Sequence, residues 1–236
     1  MAVGSSERWY EESFSSEGFS AQRKYPNEEL SRFMGRNFFS TPQEMRKQKN
    51  ILEVGCGSGA NLCMIAREGF NAYGIDFSPS AIGLAETMLR SYGVSANLSV
   101  QNMLNMSFSD EKFDGVVDIF SSYCLNVKDG LILIKEIHRL LKKGGVFFSY
   151  FPSKSSDAFK YHAPASMIDG DTLDGIHRET SPFFGNNYPF RFMESSDYKS
   201  LMENNGFSVK YLEKVGKTYR QGGEYFEWIA LEAIKL

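Results

Sequence analysis

The chain has 236 residues, a formal charge of −3 and 14% aromatic residues, which suits one α/β domain with a well-formed core and a small cap. The mild negative charge excludes the basic footprint of a nucleic-acid binder, and no apolar run approaches the roughly 20 residues that cross a bilayer. The start, Met1 to Glu17, is polar and Ser/Glu-rich rather than a leader, and Cys56, Cys63 and Cys124 follow no metal or redox spacing, so a reducing cytoplasm is the expected setting.

Residues up to about Lys24 read as loosely ordered, although Trp9, Tyr10, Phe14 and Phe19 predict that some rings fold over the body. Pro26-Asn27-Glu28-Glu29-Leu30 predicts a helix start, with acids in the first turn where the helix dipole favours them. Leu30, Phe33, Met34 and Phe38 form one apolar face, which should lie against the ligand site or the sheet edge. Thr41 to Gln48 is a polar link. Residues 1–49 thus form an N-terminal helical segment, and 50–236 an α/β domain.

Ile51 to Val54 reads as a buried parallel strand, and Gly55-Cys56-Gly57-Ser58-Gly59 as the sharp turn into a helix beginning near Ala60 and ending at Gly69. Asn71 to Ile75 is a second strand ending at Asp76. This is β–loop–α–β, the first unit of a doubly wound sheet, in which ligands lie beyond the carboxyl ends of the strands. Glu53 and Asp76 both stand at such ends. The spacing of Gly55, Gly57 and Ala60 also meets the loose dinucleotide fingerprint. Charge separates the two readings: Glu53 would repel a pyrophosphate, but welcomes the ammonium and sulfonium of S-adenosylmethionine. An NAD-dependent oxidoreductase stays as the alternative, and a non-catalytic S-adenosylmethionine sensor or partner subunit as another.

Further along, Ser78 caps a helix with Pro79 at its first position and a stop at Gly93. Leu98 to Gln101 predicts a third strand, Val116 to Ile119 a fourth, Gly130 to Leu141 a long amphipathic helix and Val146 to Tyr150 a fifth strand. From about 152 to 195 the alternation stops. This stretch carries seven rings and follows the carboxyl end of the fifth strand, so it is expected to be a cap that binds the acceptor. A helix from Ser195 or Ser196 to Asn205-Gly206 follows, then a hairpin of Phe207–Val215 and Tyr225–Ile234.

The chain resembles the class I (Rossmann-like) S-adenosylmethionine-dependent methyltransferases. Ile51 to Gly59 is similar to their first motif, Tyr73-Gly74-Ile75-Asp76-Phe77-Ser78-Pro79 to the second, Lys112-Phe113-Asp114-Gly115-Val116-Val117 to the strand-four motif, and Leu140-Leu141-Lys142-Lys143-Gly144-Gly145 to the turn before strand five. The resemblance implies a doubly wound, seven-stranded, mostly parallel sheet with the last strand antiparallel and helices on both faces. It implies that Glu53 and the loop residues Gly55, Cys56, Gly57 and Gly59 hold the methionine end. Asp76 would take the ribose hydroxyls, and Phe77 would pack on adenine. Asn102, followed by Met103, stands where the family usually has Asp; its carbonyl can accept the same hydrogen bond.

Methyl transfer is an in-line displacement that needs no metal, and a hydroxyl acceptor benefits from a general base. His162 is the first candidate base and His177 the second, while His138 reads as structural. Tyr123 follows the fourth strand, where family members often present a residue to the acceptor. Asp118 could meet the cofactor ammonium or the acceptor, or simply hydrogen-bond its own loop. From Pro152 to Ser195, four Lys/Arg face six Asp/Glu, which disfavours a polyanion. The expected acceptor is a polar small molecule, a sugar or other hydroxylated metabolite. Arg178 and Arg191 leave a nucleotide-activated sugar open, and exposed rings leave room for a homodimer contact.

Overall fold

The computed structural model describes residues 5–236; residues 1–4, the first part of the segment expected to be loose, lie outside the described residues. The rest of that segment is ordered: α1 (Ser5–Glu17) is a helix that runs into a 3-10 turn at Gly18–Ala21. Its polar composition hid the helix. Packing holds it, with Phe14 buried and Trp9, Tyr10 and Phe19 resting on the core. α2 (Glu28–Asn37) starts where Asn27 accepts from the amides of Glu29 and Leu30. It lies on a face of the sheet rather than its edge, because Phe33 stacks on Phe148 at 4.8 Å. The polar link contains a one-turn helix, α3 (Gln43–Arg46).

The strands β1 (Asn50–Val54), β2 (Asn71–Asp76), β3 (Asn97–Val100), β4 (Phe113–Ile119) and β5 (Leu141–Pro152) alternate with helices α4 (Ala60–Arg67), α5 (Pro79–Ser91) and α6 (Val127–Leu140). α6 begins three residues earlier than expected because Asn126 caps it, accepting from Asp129 N at 2.9 Å. After β5 come α7 (Asp157–Lys160), the two-residue pair β6 (Thr172–Leu173) and β7 (Phe190–Arg191), α8 (Ser195–Glu203), and the long hairpin β8 (Phe207–Tyr219) and β9 (Glu224–Lys235). The main sheet has seven strands in the order β3-β2-β1-β4-β5-β9-β8, and β9 runs antiparallel to both neighbours. Successive side chains of a strand point to opposite faces. Phe148 therefore meets α2, while Phe147 lies 6.4 Å from Phe207, whose ring meets His138 of α6 edge-on. Among the described residues, no helix is long and apolar enough to cross a membrane.

The insertion between β5 and α8 turns most of its rings inward. Phe183 and Phe192 pack on Phe226 of β9 at 4.7 and 6.0 Å, and Phe190 meets Phe192 at 5.0 Å. Arg178 and Thr180 both bind the buried Glu224, at 2.7 and 2.6 Å, and the amide of Tyr225 donates to Asp157. The insertion is thus a small aromatic core built on β9, with only Tyr161 and Phe184 exposed among its rings.

Candidate active site

Three strand ends make the floor of a crevice. Val54 of β1 lies beside Ile75 of β2 and Asp118 of β4. The chain then leaves β1 through glycines with φ of +64°, +51° and +83° at Gly55, Gly57 and Gly59. Gly55 has a second reason to lack a side chain: a Cβ there would sit 2.4 Å from that of Ser121, in the turn after β4. The crevice has a volume of about 270 Å3, at the small end for ligand sites.

Glu53 is the most unusual group in it. Its side chain is 2% exposed; Oε1 accepts from Asn61 Nδ2 at 2.6 Å, but Oε2 has no partner. Burial pushes this carboxyl up to about 8, with the Asn61 bond and the charge of Arg23 opposing the rise. Asn61 in turn accepts from the amide of Asn27, so the start of α2 fixes the partner of Glu53. Asp76 is pinned differently. Its two oxygens accept from Gly57 N at 2.9 Å and Ser78 N at 3.0 Å, and burial outweighs these bonds to raise its pKa. Cys56 lines the crevice as a neutral thiol pushed well up by burial.

Beyond Asp76 the crevice continues into a narrower space of about 40 Å3, lined by Phe77, Asn102, Met103 and Leu125. Asn102 already uses its carbonyl oxygen on Leu104 N at 2.8 Å. Tyr10 and Phe14 of α1 form the outer wall, with Gln22 and Arg23 beyond them. Arg23 and Asn61 are the residues that sequence reading missed. Asn61 follows the glycine turn directly and could have been suspected. Arg23 lies thirty residues before Glu53, with no motif to mark it.

Several expected residues stand elsewhere. Asp118 is buried, but its carboxylate accepts from Ser121 N, Ser121 Oγ, Ser122 N and Ser122 Oγ, so it anchors its own loop and is not among the crevice-lining residues. Tyr123 is buried, its hydroxyl bonded to those of Tyr10 and Tyr188. His162 directs Nδ1 to the carbonyl of Phe159 at 2.9 Å, and His177 lies 3.5 Å from Asp174; neither lines the crevice. No residue of the insertion does. Arg178 and Arg191 do not form a shared phosphate site: the first is paired with Glu224, and the second is buried with Nη1 on the carbonyl of Asn126. His138 sits against Phe207 as expected of a packing residue, its pKa lowered by burial.

Residues 51–145, from β1 into β5, match the methyltransferase domain family. A solved S-adenosylmethionine-dependent methyltransferase from Methanosarcina mazei is 25% identical, with a TM-score of 0.66 over 79% of this chain and 92% of that one. Residues 51–145 are thus a methyltransferase domain, on the fold of the class I S-adenosylmethionine-dependent methyltransferases. Two curated methyltransferases are similar to parts of this chain. The 2-methyl-6-phytyl-1,4-hydroquinone methyltransferase of Synechocystis sp. is 34% identical over 97 residues, 41% of this chain and 30% of that protein. The 24-methylenesterol C-methyltransferase 2 of Oryza sativa is 34% identical over 138 residues, 55% of this chain and 37% of that one. The chain therefore spans about a third of the length of these curated relatives. In a class I methyltransferase the cofactor is S-adenosylmethionine, and the unpartnered oxygen of Glu53 fits it: a buried carboxylate oxygen without a donor is costly unless a ligand supplies one.

Proposed function

We propose that this chain transfers a methyl group from S-adenosylmethionine to a hydroxyl of a small molecule. The single observation that carries the reading is Glu53 Oε2, buried and without a partner, near the cation of Arg23. A carboxylate and a guanidinium on one crevice complement an α-ammonium and an α-carboxylate, the two ends of a methionine head. No phosphate would be held beside Glu53, which disfavours the dinucleotide reading. Asp76 offers its remaining lone pairs to a ribose diol while its bonds to Gly57 and Ser78 fix the loop. Phe77 and Met103 close on the base, with Asn102 at its edge.

When bound, S-adenosylmethionine supplies a methyl group activated by its sulfonium. The chain's contribution is to hold the acceptor oxygen about 3 Å from that carbon and in line with the breaking bond. Phe120, Ser121 and Tyr10 line the crevice where the turn after β4 faces α1, and they are the surfaces that position the acceptor.

Calorimetry with S-adenosylmethionine tests the cofactor half of the reading. Saturable binding is expected, weakened about a hundredfold in Asp76→Ala through loss of charged hydrogen bonds. Methyl-labelled cofactor incubated with a cell extract, followed by mass spectrometry, tests transfer. Binding with no labelled product from extracts that contain the acceptor would make the chain a sensor instead.

A further inference from the structure

The wall between α1 and the turn after β4 already holds a phenol. The hydroxyl of Tyr10 meets those of Tyr123 and Tyr188, at 3.0 Å for Tyr188, and the latter two lie 2.7 Å apart. These three residues come from α1, from the turn after β4 and from the insertion. Tyr123 and Tyr188 are each 1% exposed and belong to the body of the protein. Tyr123 stacks on Phe120 at 4.3 Å, and Phe120 lines the crevice. Tyr10 is different: it is half-buried, lines the crevice itself and arrives on a helix that Glu11 also ties to Ser78 and Ser80.

From this geometry we infer that the acceptor carries a ring hydroxyl of the phenol class, that Tyr10 stands in its place, and that Tyr123 and Tyr188 are the residues that select it. The inference rests on the methyl-transfer reading above. Space supports it, since a crevice of about 270 Å3 holds little more than one ligand while Tyr10 is seated. Hydrogen-bond accounting supports it too. With Tyr10 withdrawn, two buried phenol O–H groups have only each other, and each can turn to donate to one incoming oxygen. Two fixed donors aimed at one oxygen are the arrangement that stabilises an anion there.

The chemistry points the same way. No histidine lines the crevice, Asp118 is spent on its own loop, and Asp76 is tied to two amides. Cys124 is pushed up to about 12 by burial and stays neutral. With Glu53 engaged by the cofactor's ammonium, an aliphatic hydroxyl, nearly as weak an acid as water, would find no base here. A phenol ionises near pH 10 unaided, far below an aliphatic alcohol; burial raises the Tyr10 hydroxyl above that in the same place, so lowering it falls to the two donors and to the positive charge of the cofactor's sulfonium. The phenol proton passes to solvent as the anion binds. The O–CH3 bond then forms as the S–CH3 bond breaks, the electron pair stays on sulfur, and cation and anion become a neutral thioether and a neutral aryl ether.

The test uses 4-methylphenol, which copies the Tyr10 side chain, and 4-methylcyclohexanol, which keeps the shape without the acidity. Binding of each to full-length Tyr10→Ala is measured by calorimetry with S-adenosylhomocysteine present. The phenol should bind about tenfold tighter than the alcohol, and adding Tyr123→Phe or Tyr188→Phe should remove about fivefold of its affinity. In Tyr10→Phe, which keeps the ring and guards against misfolding of the first variant, the phenol should bind more tightly than in wild type. Equal affinity for phenol and alcohol, no binding of either, or indifference to both Tyr→Phe changes overturns the inference. S-adenosylmethionine affinity is measured on the same samples. Cofactor binding without phenol selectivity sinks only the acceptor class; phenol selectivity without cofactor binding sinks the methyl-transfer reading instead.

Discussion

Two ring-rich segments flank the parallel strands, and they use their rings in opposite ways. The insertion after β5 spends Phe159, Phe183, Phe190 and Phe192 on one another and on Phe226 and Trp228 of β9. α1 has no such partner strand. Its Tyr10 and Phe14 line the crevice, and Phe14 comes within 3.5 Å of where a side chain on Gly57 would begin. Ring count therefore says little about ligand binding. A segment with enough rings to make its own core makes one, whereas a short helix with a single apolar stripe must borrow a surface. The two uses meet at the turn after β4: Phe183 packs on Phe120 at 4.9 Å, Phe190 on Tyr123 at 4.4 Å, and Tyr188 hydrogen-bonds to Tyr10 and Tyr123.

The largest effect that separates the two segments is on stability. Phe190 is fully buried in the insertion, so Phe190→Ala should lower the unfolding free energy by about 3–5 kcal/mol while cofactor affinity changes little. Denaturant melts and calorimetry on one sample decide the matter. A variant of near-normal stability with badly impaired cofactor binding would mean that the insertion is a ligand cap after all.

Next in size is the pH response of Glu53. Its folded carboxyl lies near 8 against an ordinary value of 4.5, raised mainly by burial. The raised value makes the folded protein hold a proton that the unfolded chain gives up, so this group's stabilisation is complete below about pH 4.5 and is lost as pH climbs through 8. Wild type should therefore lose stability across that window relative to Glu53→Gln. Cofactor binding requires the ionised form. Affinity should rise by up to about tenfold per pH unit towards 8 in wild type and stay flat and weak in Glu53→Gln. Identical pH profiles would show that the orphaned oxygen does not meet the ligand.

What could be read from the sequence was local. Strand, glycine turn and helix follow one another from Ile51 to Ala60, and Ser78-Pro79 carries its own cap, so each declares itself within a few residues. A doubly wound, mostly parallel sheet with its last strand antiparallel followed from the same unit and from the family resemblance. Long-range partnerships were not legible. Arg23 approaches Glu53 only because α1 and α2 fold back over the crevice, and nothing near Arg23 encodes that. The inward turn of the insertion depends on Phe226 and Trp228, more than thirty residues beyond Phe190. Asp118 is an intermediate case: the hydroxyls that capture it, Ser121 and Ser122, lie three and four residues away, yet they compete with a ligand only because the turn after β4 curls back.

The smallest expected effect concerns how α1 is held. Burial is the largest single influence on the Glu11 carboxyl and pushes it up, but the hydroxyls of Ser78 and Ser80 at the start of α5, with the Ser80 amide, donate to it and together hold it below the usual range. An acid at that place also suits the positive end of the helix dipole. Glu11 is partly exposed, so water recovers part of any loss. Glu11→Ala should then loosen α1 by about 1 kcal/mol, seen as faster amide exchange over residues 5–21 with the exchange of β1 to β5 unchanged. Because Phe14 and Tyr10 are carried on the same helix, cofactor release should quicken several-fold while the insertion melts as before. Equal loosening of α1 and the insertion would instead join the two segments into one unit, and the contrast in how they use their rings would then lie within a single lid.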